Sequence, residues 1–307
     1  MLKVIVFGNV ALDVICRTVD DVPRHDSIVF DQVSVSAGGC GSNVAIGLAA
    51  LGIPVALVAR VGEDDSAGLV RRYWERVGVS QIYLRSNADY PTGVSVGLVD
   101  SQSQPRFVHT SGANKTLSPA DLEVQQYVAA GARNLHVAGF FVLPGILTPE
   151  FGQKLLEAHR AGLETSLDVV RSVSMRNPQP LWDCLPALDF FFCNAQEAEI
   201  LTGLAQAQAA AQEFRRRGAA SVIIKLGEQG CWLESAQFSG RITGEPVQAL
   251  DTTGAGDAFA AGFLAARVQG ADAVEACQAG NAAGARMLQS LGAVSGWFTS
   301  AGEVSPS

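Results

Sequence analysis

Several classes of protein are excluded by what the chain lacks. Its six cysteines (Cys16, Cys40, Cys184, Cys193, Cys231, Cys277) include no C-x-x-C pair. They sit in a chain too long to need disulfide staples, so a reducing cytoplasm is expected. The four histidines are equally dispersed, with no H-x-x-x-H and no Cys/His cluster, so no zinc site is signalled. Basic residues are outnumbered, 22 against 30 acidic ones, for a net charge of −8. The densest basic run, Arg215-Arg216-Arg217, follows an alanine-rich stretch and precedes Gly218, as the solvated end of a helix does. Nucleic acid is therefore not an expected partner. No segment reaches the roughly 18 to 20 uninterrupted apolar residues of a membrane span. The opening "MLKVIVFGNVALDVI" is not read as a signal peptide, because Asn9 and Asp13 interrupt it before any cleavage site. There is no linker-like tract, no repeat and no G-K pair, and the last absence rules out a Walker A loop.

What is present is an alternation of short apolar runs with helix-period segments. At 307 residues and 48% hydrophobic content, the chain can bury one large core. "KVIVFG", "PVALVARVG", "NLHVAG", "TSLDVV", "LDFFFCN" and "SVIIKLG" read as strands buried on both faces, the mark of a parallel sheet. Helices are expected near 43–51, 67–77, 150–161, 195–201, 207–217, 257–268 and 271–288. Two stretches, about 14–36 and 92–111, alternate apolar and polar residues instead. They predict a small β appendage over a site, set into a single α/β domain spanning 1–307.

Two glycine clusters carry the chemistry. In "DTTGAGDAF" (251–259), Gly254-Ala255-Gly256 leads straight into an apolar helix. Bare backbone N–H groups and a helix N-terminus together suit an anion, above all a phosphate. Asp257 in the first turn could simply complement the helix dipole, an effect of about 0.3–1 kcal/mol. Beside an anion-binding loop, however, a fixed carboxylate makes sense as a base for a transferring phosphoryl group, with a pKa depressed by the helix end. The segment lacks the third glycine of a dinucleotide fingerprint. In "AGGCGSNVAIGLAALG" (37–52), Gly38, Gly39 and Gly41 let backbone approach a ligand, while Asn43 is either a helix cap or a polar ligand contact. His109 in the appendage and His136 in a strand read as surface and packing residues.

With these residues in view, the chain resembles the ribokinase-like (PfkB) carbohydrate kinases. "GGCGSNVAIGLAALG" and "DTTGAGDAFAAGFL" look like the family's two signature segments, and "FCNAQEAEILTG" and "VIIKLGEQG" look like its N-x-x-E and nucleotide-side segments. The resemblance covers nearly the whole chain. It implies a three-layer α/β fold, with a mostly parallel central sheet flanked by helices and a small β-sheet lid. It implies ATP-dependent transfer of a phosphoryl group to a sugar or sugar-like hydroxyl, a nucleoside kinase being the alternative within the fold and a ligand-binding relative that has lost catalysis the alternative outside it. By the same resemblance, Asp257 is the base and Gly254, Ala255 and Gly256 form the anion hole. Asp13, Gly39, Asn43 and Arg171 fall on the acceptor side, and Lys225, Gly227 and Gly230 on the ATP side. Asn194 and Glu197 are associated with Mg²⁺ and its waters, although Asn followed by Glu three residues later is also a capping box. Asp251 and Thr253 match positions that hold a monovalent cation such as K⁺ in many relatives. Cys40 stands where ribokinases tend to have Lys, and Gly139 where they place an acidic sugar contact, so strict ribose specificity is not implied. A homodimer formed through the lid is expected.

Overall fold

The computed structural model describes residues 1–102 and 105–298. Ser103 and Gln104, in the second expected lid stretch, and 299–307, at the end of the expected domain, lie outside the described residues. The strands are β1 (Val4–Gly8), β2 (Ala11–Arg17), β3 (Gln32–Gly38), β4 (Val55–Gly62), β5 (Ser80–Asn87), β6 (Gly93–Val99), β7 (Pro105–Thr110), β8 (Asn134–Ala138), β9 (Glu164–Asp168), β10 (Phe190–Asn194), β11 (Ser221–Lys225), β12 (Cys231–Glu234) and β13 (Ser239–Ile242). The α-helices are α1 (Cys40–Ala50), α2 (Asp65–Val77), α3 (Val124–Ala129), α4 (Pro149–Arg160), α5 (Gln179–Cys184), α6 (Ala195–Thr202), α7 (Ala207–Arg216), α8 (Ala255–Val268) and α9 (Ala273–Leu288).

Nine strands form one sheet in the order β13-β12-β11-β10-β9-β8-β1-β4-β5. It is parallel from β11 to β5; the β11–β12 and β12–β13 pairs are antiparallel, so β12 alone runs against the other strands. Side chains alternate across it. Val4 and Val6 pack into one core with residues of α1, α2, α8 and α9, and Ile5 and Phe7 into a second with residues of α3, α4, α5, α6 and α7. A sheet covered on both faces needs strands apolar on both faces, which is how the six predicted runs read. The sequence reading passes over β5, β12 and β13.

Chain direction across the sheet reverses at β1: β4 lies on one side and β8 on the other. In a doubly wound sheet this point, at the carboxyl ends of the strands, is where ligands bind. Register lines those ends up, with Ala138 opposite Asp168, Phe192 opposite Asp168, and Asn194 opposite Lys225.

A second sheet, in the order β3-β2-β6-β7, stands apart from the first. It enters through Asn9 and Val10, three residues earlier than the alternating pattern suggested, so that Asp13 lies inside a lid strand. Buried polar clamps fix its roots. Asn114 accepts from the Val10 N–H at 2.8 Å and donates to the Val10 and Ser111 carbonyls at 2.7 and 2.9 Å. On the far side, Asp64 accepts from the Thr92 N–H and hydroxyl, both at 2.7 Å.

Candidate active site

Helix α8 starts at a glycine in the left-handed region. Gly254 has φ of 77°, and a β-carbon there would lie 2.5 Å from the Ala293 carbonyl oxygen. No side chain caps this end. The Ala255 N–H is engaged by the Thr252 carbonyl at 3.3 Å, so the expected anion hole narrows by one amide. Among the described residues, no protein acceptor takes the Gly256 or Asp257 N–H. Open first-turn amides at a helix N-terminus are donors for an anion.

Asp257 is half-buried and faces this opening. Its Oδ2 accepts from Asn43 Nδ2 at 2.8 Å, with the Cys40 thiol nearby. Asn43 is therefore not a cap. Helix α1 begins earlier, at Cys40 after Gly39, whose φ of 84° brings it against the Asn9 and Val10 backbone. Asn43 Oδ1 is buried with no partner among the described residues, which leaves an acceptor directed at whatever binds there. The expected depression of the Asp257 pKa is reversed. Burial raises it above the usual carboxylate range, and Asn43, Lys225 and Cys40 offset only part of that rise.

Asp13 comes from the lid. Its carboxyl lies where a Gly38 β-carbon would be, 2.1 Å away, so the glycine is what makes room for it. Burial, and then the charge of Asp257, push its pKa up to about 7. Strand register sets Ser36, Asp13, Ser95 and His109 in one row across the lid.

The site opens on a cavity of about 660 Å³, within the range of small-molecule pockets. One wall is built from the strand ends and following loops Gly139, Asp168, Asn194, Lys225, Gly227 and Gly230, and another from Gly254, Ala255, Gly256 and Asp257. A more apolar end, formed by Val247, Ala249, Asn281, Gly284, Ala285 and Leu288, was not anticipated. Its α9 members recur at the i, i+3, i+4, i+7 spacing of one helix face, a signal the sequence does contain. Cys40 and Asp168 also line the cavity.

Asn194 and Glu197 form the capping box that the sequence allowed, with Asn194 Oδ1 accepting from the Glu197 N–H at 2.9 Å and Glu197 Oε2 accepting from the Asn194 N–H at 2.8 Å. Both residues line the cavity as well, so the cap does not remove them from the site. Arg171 is not brought in: its side chain is exposed. Asp251 is not free to face a ligand either. Its Oδ1 accepts from the Thr253 N–H and hydroxyl at 2.9 and 2.7 Å, its Oδ2 accepts from the Gly292 N–H at 2.9 Å, and Arg17 lies 3.5 Å away. Asp251 and Thr253 tie down the loop leading into Gly254. Among the described residues, no group of three or more His, Cys, Asp or Glu side chains is arranged to hold a metal, and no helix is long and apolar enough to cross a membrane.

Comparison with known proteins shows the family and the fold. The family model described as pfkB family carbohydrate kinase matches residues 1–299. The 2-dehydro-3-deoxygluconokinase of Bacillus subtilis (strain 168) is 30% identical over 285 residues, which is 89% of this chain and 86% of that protein. The ribokinase of Haemophilus influenzae (strain ATCC 51907 / DSM 11121 / KW20 / Rd) is 29% identical over 299 residues, 94% of this chain and 93% of that one. Among solved structures, Arabidopsis thaliana ribokinase complexed with ribose and ATP superposes with a TM-score of 0.81 at 27% identity, covering 96% of each chain. The fold is the ribokinase-like α/β fold, with its mostly parallel sheet and separate small sheet.

Proposed function

The chain belongs to the pfkB family of carbohydrate kinases, and from that premise we propose that it transfers the γ-phosphoryl group of ATP to a hydroxyl of a sugar or sugar-like molecule with Asp257 as base. One observation carries the assignment: a carboxylate fixed by Asn43 stands at the mouth of α8, beside two unclaimed amides and over a cavity of ligand size. The acceptor oxygen attacks the γ-phosphorus and its proton passes to Asp257. The bond to the bridging oxygen breaks, and its electron pair leaves on ADP. The Gly256 and Asp257 amides take the charge of the transferring group. A carboxylate whose pKa is raised by burial is a better proton acceptor than an exposed one.

On the acceptor side, Asp13 and the free Asn43 Oδ1 receive sugar hydroxyls, with Gly39 setting the turn that brings α1 to them. On the nucleotide side, Gly227 and Gly230 border the phosphates, and the base lies toward Ala249, Ala285 and Leu288. Mg²⁺ fits the donors present. Glu197 and Asn194 offer oxygen, and Asp168 Oδ1 is buried with no partner among the described residues. With no ready-made cluster of three acidic or imidazole ligands, such an ion draws most of its ligands from phosphate and water. When bound, it neutralises phosphate charge. A K⁺ site built on the Asp251 side chain is not part of this proposal, since that carboxylate is already taken up by Thr253, Gly292 and Arg17. A homodimer paired through the lid is.

The test is ATP turnover by the purified chain against a panel of neutral sugars, keto-acid sugars and nucleosides, followed by Asp257→Asn on the best acceptor. The expected outcome is turnover with a sugar or sugar acid, and a fall in kcat of about 10²–10⁴-fold in the variant with folding unchanged. Turnover with nucleosides alone selects the alternative acceptor class. An Asp257→Asn enzyme as fast as the unmodified one refutes the mechanism, and a chain that turns over nothing in the panel refutes the activity.

A further inference from the structure

Three carboxylates and one ammonium meet on the cavity floor. Asp168 closes β9, Glu197 lies in the first turn of α6, Asp257 in that of α8, and Lys225 closes β11. With Glu228 and Glu245, five carboxylates line the cavity against one ammonium, the wrong balance for a site that receives a polyphosphate. Among the described residues lining the cavity, Lys225 is the only basic one.

Its position is specific. Lys225 Nζ donates to Asp168 Oδ2 at 2.7 Å, reaching from β11 across the end of β10 to β9. A β-carbon built on Gly256 would lie 3.2 Å from that same Nζ. The ammonium therefore hangs over the segment whose Gly256 and Asp257 amides are unclaimed. A lysine ammonium has three N–H bonds; one is spent on Asp168, and the side chain, 16% exposed, borders the open cavity. Burial works to lower the Lys225 pKa, but the charges of Asp168 and Glu197 outweigh it, so the group stays protonated.

Resting on the kinase reading above, we infer that Lys225 contacts the transferring phosphoryl group and supplies positive charge to it in the transition state, and that Asp168 is the positioning residue that holds the ammonium over Gly256. A group that meets charge only as the phosphoryl group detaches affects kcat more than nucleotide affinity. That separates it from a lysine that merely neutralises a buried acid. In the neutralising case, removing Lys225 exposes the uncompensated charge of Asp168, and removing both charges repairs the site.

The experiment uses the full chain and the best acceptor from the substrate panel. Lys225→Met, Lys225→Arg, Asp168→Asn and the Lys225→Met/Asp168→Asn double variant are compared for kcat, for KM of ATP, and for affinity of a non-hydrolysable ATP analogue measured by titration calorimetry. The expected result for Lys225→Met is a loss of about 10²–10³-fold in kcat, the scale of one preorganised charge or donor at a transition state. Analogue affinity should change by less than about fivefold. Lys225→Arg recovers part of the rate, Asp168→Asn loses about tenfold, and the double variant is no faster than Lys225→Met. Lys225→Met with near-normal kcat, or a double variant restored toward the unmodified rate, overturns the inference. Should Lys225→Met fail to fold by circular dichroism, Lys225→Arg and Asp168→Asn decide: full activity in both overturns it. A chain that phosphorylates nothing even before mutation fails on the kinase reading; one that depends on Asp257 but not on Lys225 fails only here.

Discussion

Asp13 carries the clearest link between one residue's environment and a measurable pH dependence. Its pKa is raised to about 7, first by burial and then by the neighbouring charge of Asp257, whereas an unfolded aspartate titrates near 3.8. Between those values the folded chain holds a proton that the unfolded chain has released, so this group makes stability fall as pH rises from about 4 to 7. Asparagine has no such charge to bury. Asp13→Asn should therefore be the more stable protein at pH 8, by about 2 kcal/mol once partial exposure is allowed for, with the difference closing toward pH 4. Denaturant unfolding at both pH values measures it, and a variant less stable at pH 8 contradicts the argument. The cost should appear in function. In the unmodified chain, kcat/KM should drop below about pH 7 as Asp13 and Asp168, whose pKa burial also raises to about 7, take up protons, and Asp13→Asn should be slow throughout with a shallower step.

At the scale of elements, how the helices begin separates structure from function. Asp64, Asn194 and Asp272 cap α2, α6 and α9 with their side chains. The helices of the two signature segments, α1 and α8, start instead at positive-φ glycines with no side-chain cap. At α8 such an end forgoes about 1 kcal/mol of capping and leaves the Gly256 and Asp257 amides for a ligand, whereas at α1 the Cys40 and Ser42 N–H groups are taken by the Asn9 side chain and carbonyl. Gly254→Ala adds a β-carbon to a left-handed residue facing the Ala293 carbonyl oxygen. The conformation alone costs about 1–2 kcal/mol, and the contact adds to it. A fall of several degrees in Tm with at least tenfold lower kcat is expected; a variant equal to the unmodified chain in both would mean that the loop tolerates another backbone path.

These elements also mark how far the sequence could be read. The buried strands and both glycine segments were legible because hydrophobic runs and bare loops are local signals. β12 and β13 were not, since four-residue antiparallel strands such as "CWLE" and "SGRI" carry too little pattern. The Lys225–Asp168 pair is invisible for another reason. Its partners lie 57 positions apart, and only the parallel packing of neighbouring strand ends brings them together. Arg171 shows the converse, a residue on the right sheet edge whose side chain turns outward.

At the scale of the molecule, the lid presents two unlike faces. Register joins Val35, Val14, Val96 and Val108 in one row, and Val33, Cys16 and Leu98 in the next row on the same face. The opposite face carries Asp13 toward Asp257, and its Ile15, Arg17 and Ser34 border a space shared with Leu291 and Gly292 of the main body. Apart from Val33, which also borders that space, the valine face therefore points away from the body, and Val33 and Val108 are 58% and 64% exposed. An apolar face with Val33, Val35 and Val108 left in water is unfavourable at about 25 cal/mol per Å², and a second copy of the same sheet could cover it by twofold pairing. Under the proposed lid-paired dimer, Val33→Glu with Val108→Glu should convert a dimer into a monomer in sedimentation velocity, helped by repulsion within an already acidic chain. The monomer should keep its fold and lose acceptor affinity more than ATP affinity, because Asp13 rides on the sheet whose packing is disturbed. An unmodified chain that sediments as a monomer at high protein concentration would leave the valine face without this role.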